Sequence, residues 1–420
     1  MIGISDFNNI KTEAVSIDTF WNVGAEKELK IHRIHTYPAK FPSFITTKAL
    51  EFVAGKNFYP KKIGDIFCGC GTTALEARRN NKDFWGCDIN PVATLIAKVK
   101  SESFQESYLN KYYEAIIECF SENREYPKYE DALSRLQYWY APAQYNALSK
   151  LKSSIQSVFP NNSKYQLFFL CAFSNILKPA SKWLAKSIKP QVDPNKISQD
   201  VLTLFKKQYT FMLKANKEND VKNKVNIKIE TKNFLDGQNP EHDIDMIITS
   251  PPYVTSYEYA DLHQLSTLWL DYVVDHRALR NGTIGSDYCH CNILDTLETL
   301  NSSGKRIVKD LLIVDKSKAK SVAKYYADMQ KVAAETYKLL NAEGYVLFVI
   351  GNTEYKSVKI DNAMHLAESL LAVGFGELEI TKRKISNKIL TPYRDKNGKF
   401  SSDSTGRKIY SEEFIIVGKK

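Results

Sequence analysis

A strand, a glycine-rich turn, a helix and a second strand follow one another between residues 61 and 88. The run KKIGDIF is typical of a strand and leads into the turn CGCGTT, the stretch TALEARRNN is helical, and FWGCDI is the second strand. Two strands joined through a helix lie parallel in one sheet, with a right-handed crossover. This unit predicts an α/β fold with a doubly wound, mostly parallel, Rossmann-like sheet.

The strand signals are interrupted by a long stretch of helical periodicity. Apolar residues recur at helical spacing in YLNKYYEAIIECF and YQLFFLCAFSNILKPASKWL, which predicts a helical insertion at 101–225. The core is then expected in two parts, 1–100 and 226–420. The second part carries a polar insertion at about 271–318 and a basic hairpin at about 383–410.

The later strands and helices are expected in a fixed order. VNIKIETKNFL and DIDMIITS resume the sheet, YYADMQKVAAETYKLL is an amphipathic helix ended by the glycine of NAEG, and YVLFVIGNT is a buried strand. LEITKRKI and SEEFIIVGKK are expected to close the sheet as a strand pair.

Composition limits the class of protein. The net charge of +10 and the pI near 8.9 suit a polyanionic partner or simply a solvated basic surface. Seven cysteines, an odd number, argue for reduced thiols and against a disulfide framework. The start MIGISDFNNIKTEAV has no signal-peptide character. No apolar run approaches the ~18 residues of a membrane helix. A soluble, cytoplasmic protein without a membrane partner is expected.

The glycine turn has the features of a nucleoside-binding site. Gly69 and Gly71 permit positive φ and close approach of a ligand to the backbone. Asp88 ends the next strand, where doubly wound folds place a carboxylate that binds both ribose hydroxyls. No Gly-Lys-Ser/Thr follows, which excludes a P-loop, and Thr73-Ala74 replaces the third glycine of G-x-G-x-x-G. A nucleoside cofactor is predicted, against the alternative of an ordinary tight β–α turn.

A second turn, in DMIITSPPY, ends the apolar run that includes Ile247 and Ile248. Proline has no N–H to donate and fixes φ near −65°. The two prolines therefore present a rigid turn without competing donors. An isolated Pro-Pro-Tyr often does no more than end a strand.

DIFCGCGTT, GCDINP and TSPPY together resemble the amino-group DNA methyltransferases, which use S-adenosylmethionine. Phe67, Gly69 and Gly71 match their Phe-x-Gly-x-Gly motif, and Ser250 to Tyr253 match their Asp/Asn/Ser-Pro-Pro-Tyr/Phe motif. The serine form is most like the cytosine-N4 subgroup. HRIHTYPAKFP is similar to the segment that these enzymes place beside the methionine end of the cofactor. The resemblance covers about three-fifths of the chain and leaves both insertions outside its motifs.

The resemblance implies a set of site residues. The catalytic residues are Ser250, Pro251, Pro252 and Tyr253, and the cofactor-binding residues are Tyr37, Phe67, Gly69, Gly71, Thr72, Asp88, Phe234 and Asp236. Ser250 Oγ and the Pro251 carbonyl would accept the N–H bonds of an exocyclic amine and aim its lone pair at the methyl group. Tyr253 would stack on a base flipped out of the duplex. Phe234 and Asp236 in NFLDG would form the adenine pocket, or simply an ordinary polar loop.

Other polar residues allow two interpretations. Tyr257, Tyr259 and Asp261 line the base pocket or open a helix whose apolar face is formed by leucines. Cys68 and Cys70, like Cys289, His290 and Cys291, lack the C-x₂₋₄-C spacing of zinc sites, so no metal is expected. The basic hairpin, with Tyr393 and Phe400, is either a phosphate contact or a solvated tip.

Double-stranded DNA is the expected partner, and the helical insertion is the leading candidate to contact it. Its aromatic and basic residues are Tyr138, Trp139, Tyr140, Lys178, Lys182, Trp183, Lys186 and Lys189. The second insertion follows the catalytic turn and is expected to close over the flipped base.

Four functions remain open at this point. They are a cytosine-N4 DNA methyltransferase, an adenine-N6 enzyme built in the same way, a more distant RNA guanine-N2 methyltransferase, and a catalytically silent DNA-binding subunit. The chain carries no nuclease signature, so a cognate restriction endonuclease would be encoded separately.

Overall fold

The structure is a computed structural model. It describes residues 12–24, 27–122, 125–159, 163–219, 221, 223–254, 258–286, 288, 291–385, 393–394, 407–408 and 411–420. The strands are β1 Lys62–Asp65, β2 Asp83–Asp88, β3 Ile227–Thr231, β4 Ile244–Thr249, β5 Leu340–Ile350, β6 Thr353–Tyr355, β7 Val358–Ile360, β8 Glu377–Lys384, β9 Tyr393–Arg394, β10 Arg407–Lys408 and β11 Glu412–Lys419.

The α-helices fall into three groups along the chain. Before and within the first insertion lie α1 Ser43–Ala54, α2 Thr72–Arg79, α3 Pro91–Ser101, α4 Glu106–Ser121, α5 Ser134–Trp139, α6 Pro142–Val158, α7 Lys164–Ala180 and α8 Val201–Glu218. After the catalytic turn come α9 Tyr259–Leu262 and α10 Gln264–Trp269. The last group is α11 Ile293–Thr299, α12 Ser302–Val314, α13 Lys316–Leu339 and α14 Asn362–Ala372.

Seven strands form the main sheet in the order β3-β2-β1-β4-β5-β11-β8. The pairs from β3 to β5 are parallel, and β11 runs antiparallel to both β5 and β8. The expected doubly wound, mostly parallel sheet is confirmed, and so is the closing strand pair. The strand order is that of a Rossmann-like sheet.

Alternating side chains of the central strands supply a core on each face of the sheet. Ile247, Val346 and Phe348 pack with α12, α13 and α14 on one face. Met246 and Ile248 pack with α1 and α2 on the other. Helices α4 to α8, together with α3 and α10, enclose a third apolar cluster beside the sheet. Among the residues described, no helix combines the length and apolar character that a bilayer crossing requires.

One expectation about local structure was wrong. Helix α13 begins at Lys316 and ends at Leu339, and β5 starts at the next residue, so NAEG lies within a strand rather than capping a helix. The strand extends this far back because Leu340 pairs with Ile244 at the start of β4, across an irregularity in the register. The segment expected as a polar insertion at about 271–318 contains α11 and α12.

Candidate active site

The glycine turn and the Ser-Pro-Pro-Tyr turn lie side by side at the carboxyl edge of the sheet. The first follows β1 and the second follows β4, and these strands are parallel neighbours with Gly64 opposite Ile247. The connections leave in opposite directions at this edge, to β2 on one side and to β5 on the other. Ligands of doubly wound sheets bind at such a switch point.

A buried carboxylate connects the two turns. Asp65 Oδ1 accepts a hydrogen bond from Thr249 Oγ1 at 2.6 Å and one from the Phe67 N–H at 3.1 Å. Thr249 directly precedes Ser250. Burial raises the pKa of Asp65 to about 7, and the bond from Thr249 opposes this rise. Asp65 was not among the predicted site residues, although it opens the DIFCGCGTT motif.

The two glycine positions of the turn require glycine for different structural reasons. Gly71 has φ of 75°, and a Cβ there would lie 2.5 Å from the Ala97 Cβ on α3, so the turn can pack on that helix only without a side chain. Gly69 has φ of 46°, and its nearest neighbour would be the Tyr37 ring at 3.7 Å. The backbone at Gly69 therefore faces a space bounded by Tyr37.

Asp88 is fixed beside this space by two backbone groups. Its Oδ2 accepts the Gly69 N–H at 2.9 Å, and its Oδ1 accepts the Asn90 N–H at 2.8 Å. Each carboxylate oxygen keeps acceptor capacity for a further donor. Burial raises the pKa of Asp88 to about 6. Two adjacent acceptors at the end of β2 fit the hydroxyl pair of a ribose.

Tyr37 lies in an aromatic stack near the glycine turn. Its ring centroid is 5.1 Å from that of His263 and 6.1 Å from that of Tyr259, with 23° between the planes in both pairs. Burial raises the pKa of the Tyr37 phenol well above its usual value. His263, which lies between α9 and α10, was missed in the sequence because a lone histidine carries no motif. Tyr259 opens α9, as one of the two interpretations predicted, whereas Tyr257 lies outside the described residues.

The remaining cofactor candidates lie at different depths. Phe67 is partly buried and packs on the main core, and Thr72 begins α2 with its hydroxyl buried and without a partner among the described residues. Phe234 is buried in the core, and Asp236 is exposed, where its Oδ1 accepts a bond from Asn233 Nδ2 at 3.0 Å. A Cβ on Gly282 would lie 3.1 Å from Asn233 Nδ2. The second insertion therefore runs directly against this loop.

The hydroxyl of Ser250 is oriented by a neighbouring strand. Ser250 Oγ donates to the carbonyl oxygen of Val349 on β5 at 2.9 Å. A hydroxyl has one proton to donate, so the lone pairs of Oγ are directed away from β5 and can accept. Pro251 is buried and Pro252 partly buried, and neither has an N–H that competes for acceptors.

Tyr253 is held by the antiparallel end of the sheet. Its hydroxyl donates to Glu413 Oε1 at 3.1 Å, and Arg383 Nη2 donates to Glu413 Oε2 at 2.5 Å. A Cβ on Gly351 would lie only 3.0 Å from the Tyr253 ring. Burial and the Glu413 charge raise the pKa of Tyr253 well above its usual value. A hydrogen bond with the Ser250 side chain opposes this rise in pKa, so the two side chains of the turn are in contact.

The cysteines near the site are reduced and buried. Cys68, Cys70 and Cys87 are free and lie around the glycine turn. Within the described part of the chain, no group of three or more His, Cys, Asp or Glu side chains is arranged to hold a metal. Cys289 and His290 lie outside the described residues, and the same holds for Phe400.

Four of the eight DNA-contact candidates in the helical insertion are used internally. Trp139 and Trp183 are buried and stack at 4.9 Å, and Tyr140 is buried with its hydroxyl donating to the Leu177 carbonyl. Lys178 Nζ donates to the Ser187 carbonyl at 2.7 Å. Tyr138 is 53% exposed, and Lys186 and Lys189 are exposed as well. A sequence rich in tyrosine and lysine does not reveal which of these side chains build the insertion and which face solvent.

The chain is similar to one curated protein over most of its length. No protein-family model matches it. Type II methyltransferase M.MvaI from Kocuria varians is 25% identical over 408 residues, which covers 90% of this chain and 89% of that protein.

Solved structures with a related shape are more remote. A TehB-like S-adenosylmethionine-dependent methyltransferase from Corynebacterium glutamicum has 9% identity and a TM-score of 0.27, covering 88% of this chain and 86% of that one. The rRNA methyltransferase aviRa from Streptomyces viridochromogenes has 10% identity and a TM-score of 0.29, covering 93% and 91%. At scores this low, the fold assignment rests on the strand order of this chain itself.

Proposed function

We propose that this protein is a site-specific DNA methyltransferase. It transfers a methyl group from S-adenosylmethionine to the exocyclic N4 amine of a cytosine flipped out of duplex DNA. The similarity to M.MvaI, named a Type II methyltransferase, supports a modification enzyme whose cognate endonuclease is a separate protein.

The orientation of the Ser250 hydroxyl carries the proposal. Its proton is donated to Val349, so Oγ offers lone pairs to an N–H donor at the edge of the sheet where the glycine turn lies. The lone pair of an aromatic amine is delocalised into the ring. Acceptors on its N–H bonds favour a tetrahedral nitrogen whose lone pair points at the methyl group. The Pro251 carbonyl would supply the second acceptor.

The residues around the glycine turn fit S-adenosylmethionine. The Asp88 carboxylate would accept the ribose hydroxyls, the open backbone at Gly69 would pass close to the ligand, and Tyr37 would close the space opposite Gly69. The cofactor supplies an electrophilic methyl group on a sulfonium. The protein contributes orientation of the amine and a fixed array of acceptors.

Tyr253 gives the target base a place to bind outside the helix. A flipped base needs an aromatic face to replace its lost stacking, and such a contact is worth about 1–3 kcal/mol. The hydrogen bond to Glu413 holds the ring of Tyr253 in one orientation. Adenine presents a similar amino group, so the serine at position 250 is the feature that favours cytosine.

Methyl transfer to DNA of varied sequence, followed by nucleoside mass spectrometry, tests the proposal. We expect N4-methylcytosine in one sequence context. Ser250→Ala should lower kcat by about 10²-fold or more, because one preorganised polar contact to the reacting group is lost. Its affinity for S-adenosylmethionine should stay at the wild-type value.

The matched control is Ser157→Ala, since Ser157 is exposed and only donates within its own helix. Recovery of N6-methyladenine alone would overturn the cytosine assignment. Tight cofactor binding with no methylation of any DNA would overturn the enzymatic proposal. Full activity of Ser250→Ala would remove Ser250 from the mechanism.

A further inference from the structure

A cluster of polar side chains joins the two insertions directly after the catalytic turn. We call Arg135, Asp261, Gln264, His276 and Arg280 the arginine cluster. Arg135 Nε donates to Gln264 Oε1 at 2.7 Å, Arg280 Nη2 donates to Asp261 Oδ1 at 2.7 Å, and His276 Nε2 lies 3.4 Å from the same oxygen. Arg135 belongs to the first insertion, and His276 and Arg280 belong to the second.

The arginine cluster lies at the rim of the catalytic turn. Asp261 and Gln264 are on α9 and α10, a few residues after Tyr253. The second insertion returns to the same place, since a Cβ on Gly285 would lie 3.4 Å from the Tyr253 carbonyl oxygen. A strand of DNA that delivers a base to Ser250 has to pass over this rim.

The arginine cluster carries an excess of positive charge. Asp261 is the one carboxylate within it, whereas it holds two guanidinium groups. The nearby Asp275 is paired with Arg277. Among the described residues, Arg135 bonds only to the neutral amide of Gln264, and Arg280 Nε is buried without a partner. An uncompensated guanidinium next to the site attracts a polyanion.

Each arginine lies over an exposed tyrosine. The Arg135 guanidinium carbon is 5.2 Å from the ring centroid of Tyr138, which is 53% exposed, and that of Arg280 is 3.8 Å from the ring centroid of Tyr288, which is 57% exposed. Stacking keeps the planar guanidinium in a fixed orientation and leaves its edge able to donate to phosphate. Exposed aromatic faces beside fixed cations are typical of nucleic-acid surfaces.

We propose that the arginine cluster, with Tyr138 and Tyr288, is the surface that holds the DNA strand around the flipped nucleotide. Arg135 and Arg280 bind the flanking phosphates, and the tyrosines stack on neighbouring bases. The proposal rests on the function proposed above and adds where the DNA lies. It assigns the contact to α5 together with residues 276–286 and Tyr288, rather than to the lysines around Trp183.

Binding of a fluorescent DNA duplex to the double variant Arg135→Gln, Arg280→Gln tests this surface. Anisotropy titrations at several salt concentrations should give an affinity lower by about 10–100-fold, because two phosphate contacts are lost. The slope of log K against log salt should become shallower by about 2, since each phosphate contact contributes about 0.9. Cofactor binding, measured by calorimetry, should be unchanged.

Two further variants of this protein serve as controls. Lys338→Gln removes a charge from an exposed lysine at the end of α13, next to the opposite edge of the sheet, and should bind DNA as the wild type does. The double variant Arg135→Lys, Arg280→Lys keeps the charges and the pair with Asp261, so it should recover most of the affinity and the slope.

The possible outcomes are distinct. Wild-type affinity and slope in the glutamine variant would overturn the arginine cluster as a DNA surface while the proposed function stands. If the glutamine variant does not fold, Tyr138→Ala and Tyr288→Ala replace it, since both rings are exposed, and wild-type affinity in both would overturn the surface too. Wild-type protein that binds S-adenosylmethionine but no DNA at any salt concentration would overturn the proposed function itself.

Discussion

Asp88 accepts one backbone N–H on each carboxylate oxygen, which gives it a structural role beside the ribose-binding role proposed above. Burial raises its pKa to about 6. Hydroxyl groups of a bound ribose would donate to the ionised carboxylate and stabilise it. Cofactor binding and loss of the proton from Asp88 should therefore favour each other.

The affinity for S-adenosylmethionine should consequently depend on pH. We expect the part due to Asp88 to appear as a fall when pH drops below about 6, by up to about tenfold per pH unit. Asp65, whose pKa is about 7, titrates in the same range, and the Asp88→Asn variant separates the two contributions. Calorimetric titrations between about pH 5 and 8 would measure this pH dependence, because that range lies on both sides of the Asp88 pKa. Asp88→Asn should bind weakly without the step, and the exposed Asp295→Asn should keep it. A wild-type affinity that is constant across this range would contradict the role given to Asp88.

From the sequence, a contact between two residues can be inferred only when both lie in one local motif. Gly69 and Asp88 are 19 residues apart within one strand-turn-helix-strand unit, and their hydrogen bond follows from that unit. Tyr253 and Glu413 are 160 residues apart, and Ser250 and Val349 are 99 apart. Nothing in SEEFIIVGKK distinguishes Glu413 from Glu412. These contacts depend on the strand order, which places β5 next to β4 and β11 on the far side of β5.

At the scale of elements, the two glycines of the turn are expected to differ in role: Gly71 in the stability of the fold and Gly69 in cofactor binding. Gly71 permits α2 and α3 to approach each other, and Gly69 exposes backbone to the ligand space. Both have positive φ, but only Gly71 lies against a neighbouring helix. A side chain added at each position should therefore have a different consequence.

Gly71→Ala should lower the free energy of unfolding by about 2–5 kcal/mol, because the methyl group overlaps Ala97 and φ is positive. Gly69→Ala should cost about 1 kcal/mol from conformation alone but should weaken cofactor binding, since the methyl group projects toward Tyr37. Chemical denaturation and calorimetric titration measure the two effects. Gly376→Ala, with no atom within 4 Å of the added Cβ, is the control. Equal losses of stability in the first two variants would refute this division.

Element boundaries were harder to predict than element types. The sequence predicted α13 and β5, but it placed their junction at NAEG because glycine commonly ends helices. Leu340 instead has extended backbone and pairs with Ile244. The tertiary pairing outweighed the local signal, and Gly344 lies inside the strand.

At the scale of the molecule, α10 connects the sheet to the helical insertion. Trp269 is 3% exposed, and its ring lies 4.9 Å from that of Tyr145, 5.7 Å from that of Tyr140 and 5.8 Å from that of Phe173. Its helix follows the catalytic turn by a few residues. The packing of the insertion and the geometry of the active site should therefore be lost together.

Trp269→Ala should lower the free energy of unfolding by about 3–5 kcal/mol through lost burial and a cavity. Unfolding monitored by circular dichroism and by methyl transfer should show one shared transition. Tyr59→Ala removes an aromatic ring that is 70% exposed and should change little. An insertion that melts while the sheet and the activity persist would contradict a single cooperative unit.

The sequence predicted the two motif-bearing turns but not how the insertions meet. Arg135 and Arg280 are separated by two strands that do not pair with each other, several helices and the Ser-Pro-Pro-Tyr turn, and neither lies in a recognisable pattern. The lysine-rich segment around Trp183 looked more like a nucleic-acid surface, yet Lys178 and Lys196 donate to backbone carbonyls within it. The number of lysines and arginines in a segment does not show which of them make hydrogen bonds within the protein.

The hydrogen bond from Thr249 to Asp65 has a thermodynamic consequence. It connects the turn proposed to bind the cofactor with the turn proposed to bind the amine, so a ligand that orders one turn also orders the other. Any factor by which S-adenosylmethionine tightens DNA binding must then equal the factor by which DNA tightens cofactor binding, because the coupling free energy is reciprocal. The substitutions Asp65→Ala and Thr249→Val each remove this hydrogen bond. Either should reduce both factors equally, whichever ligand binds first.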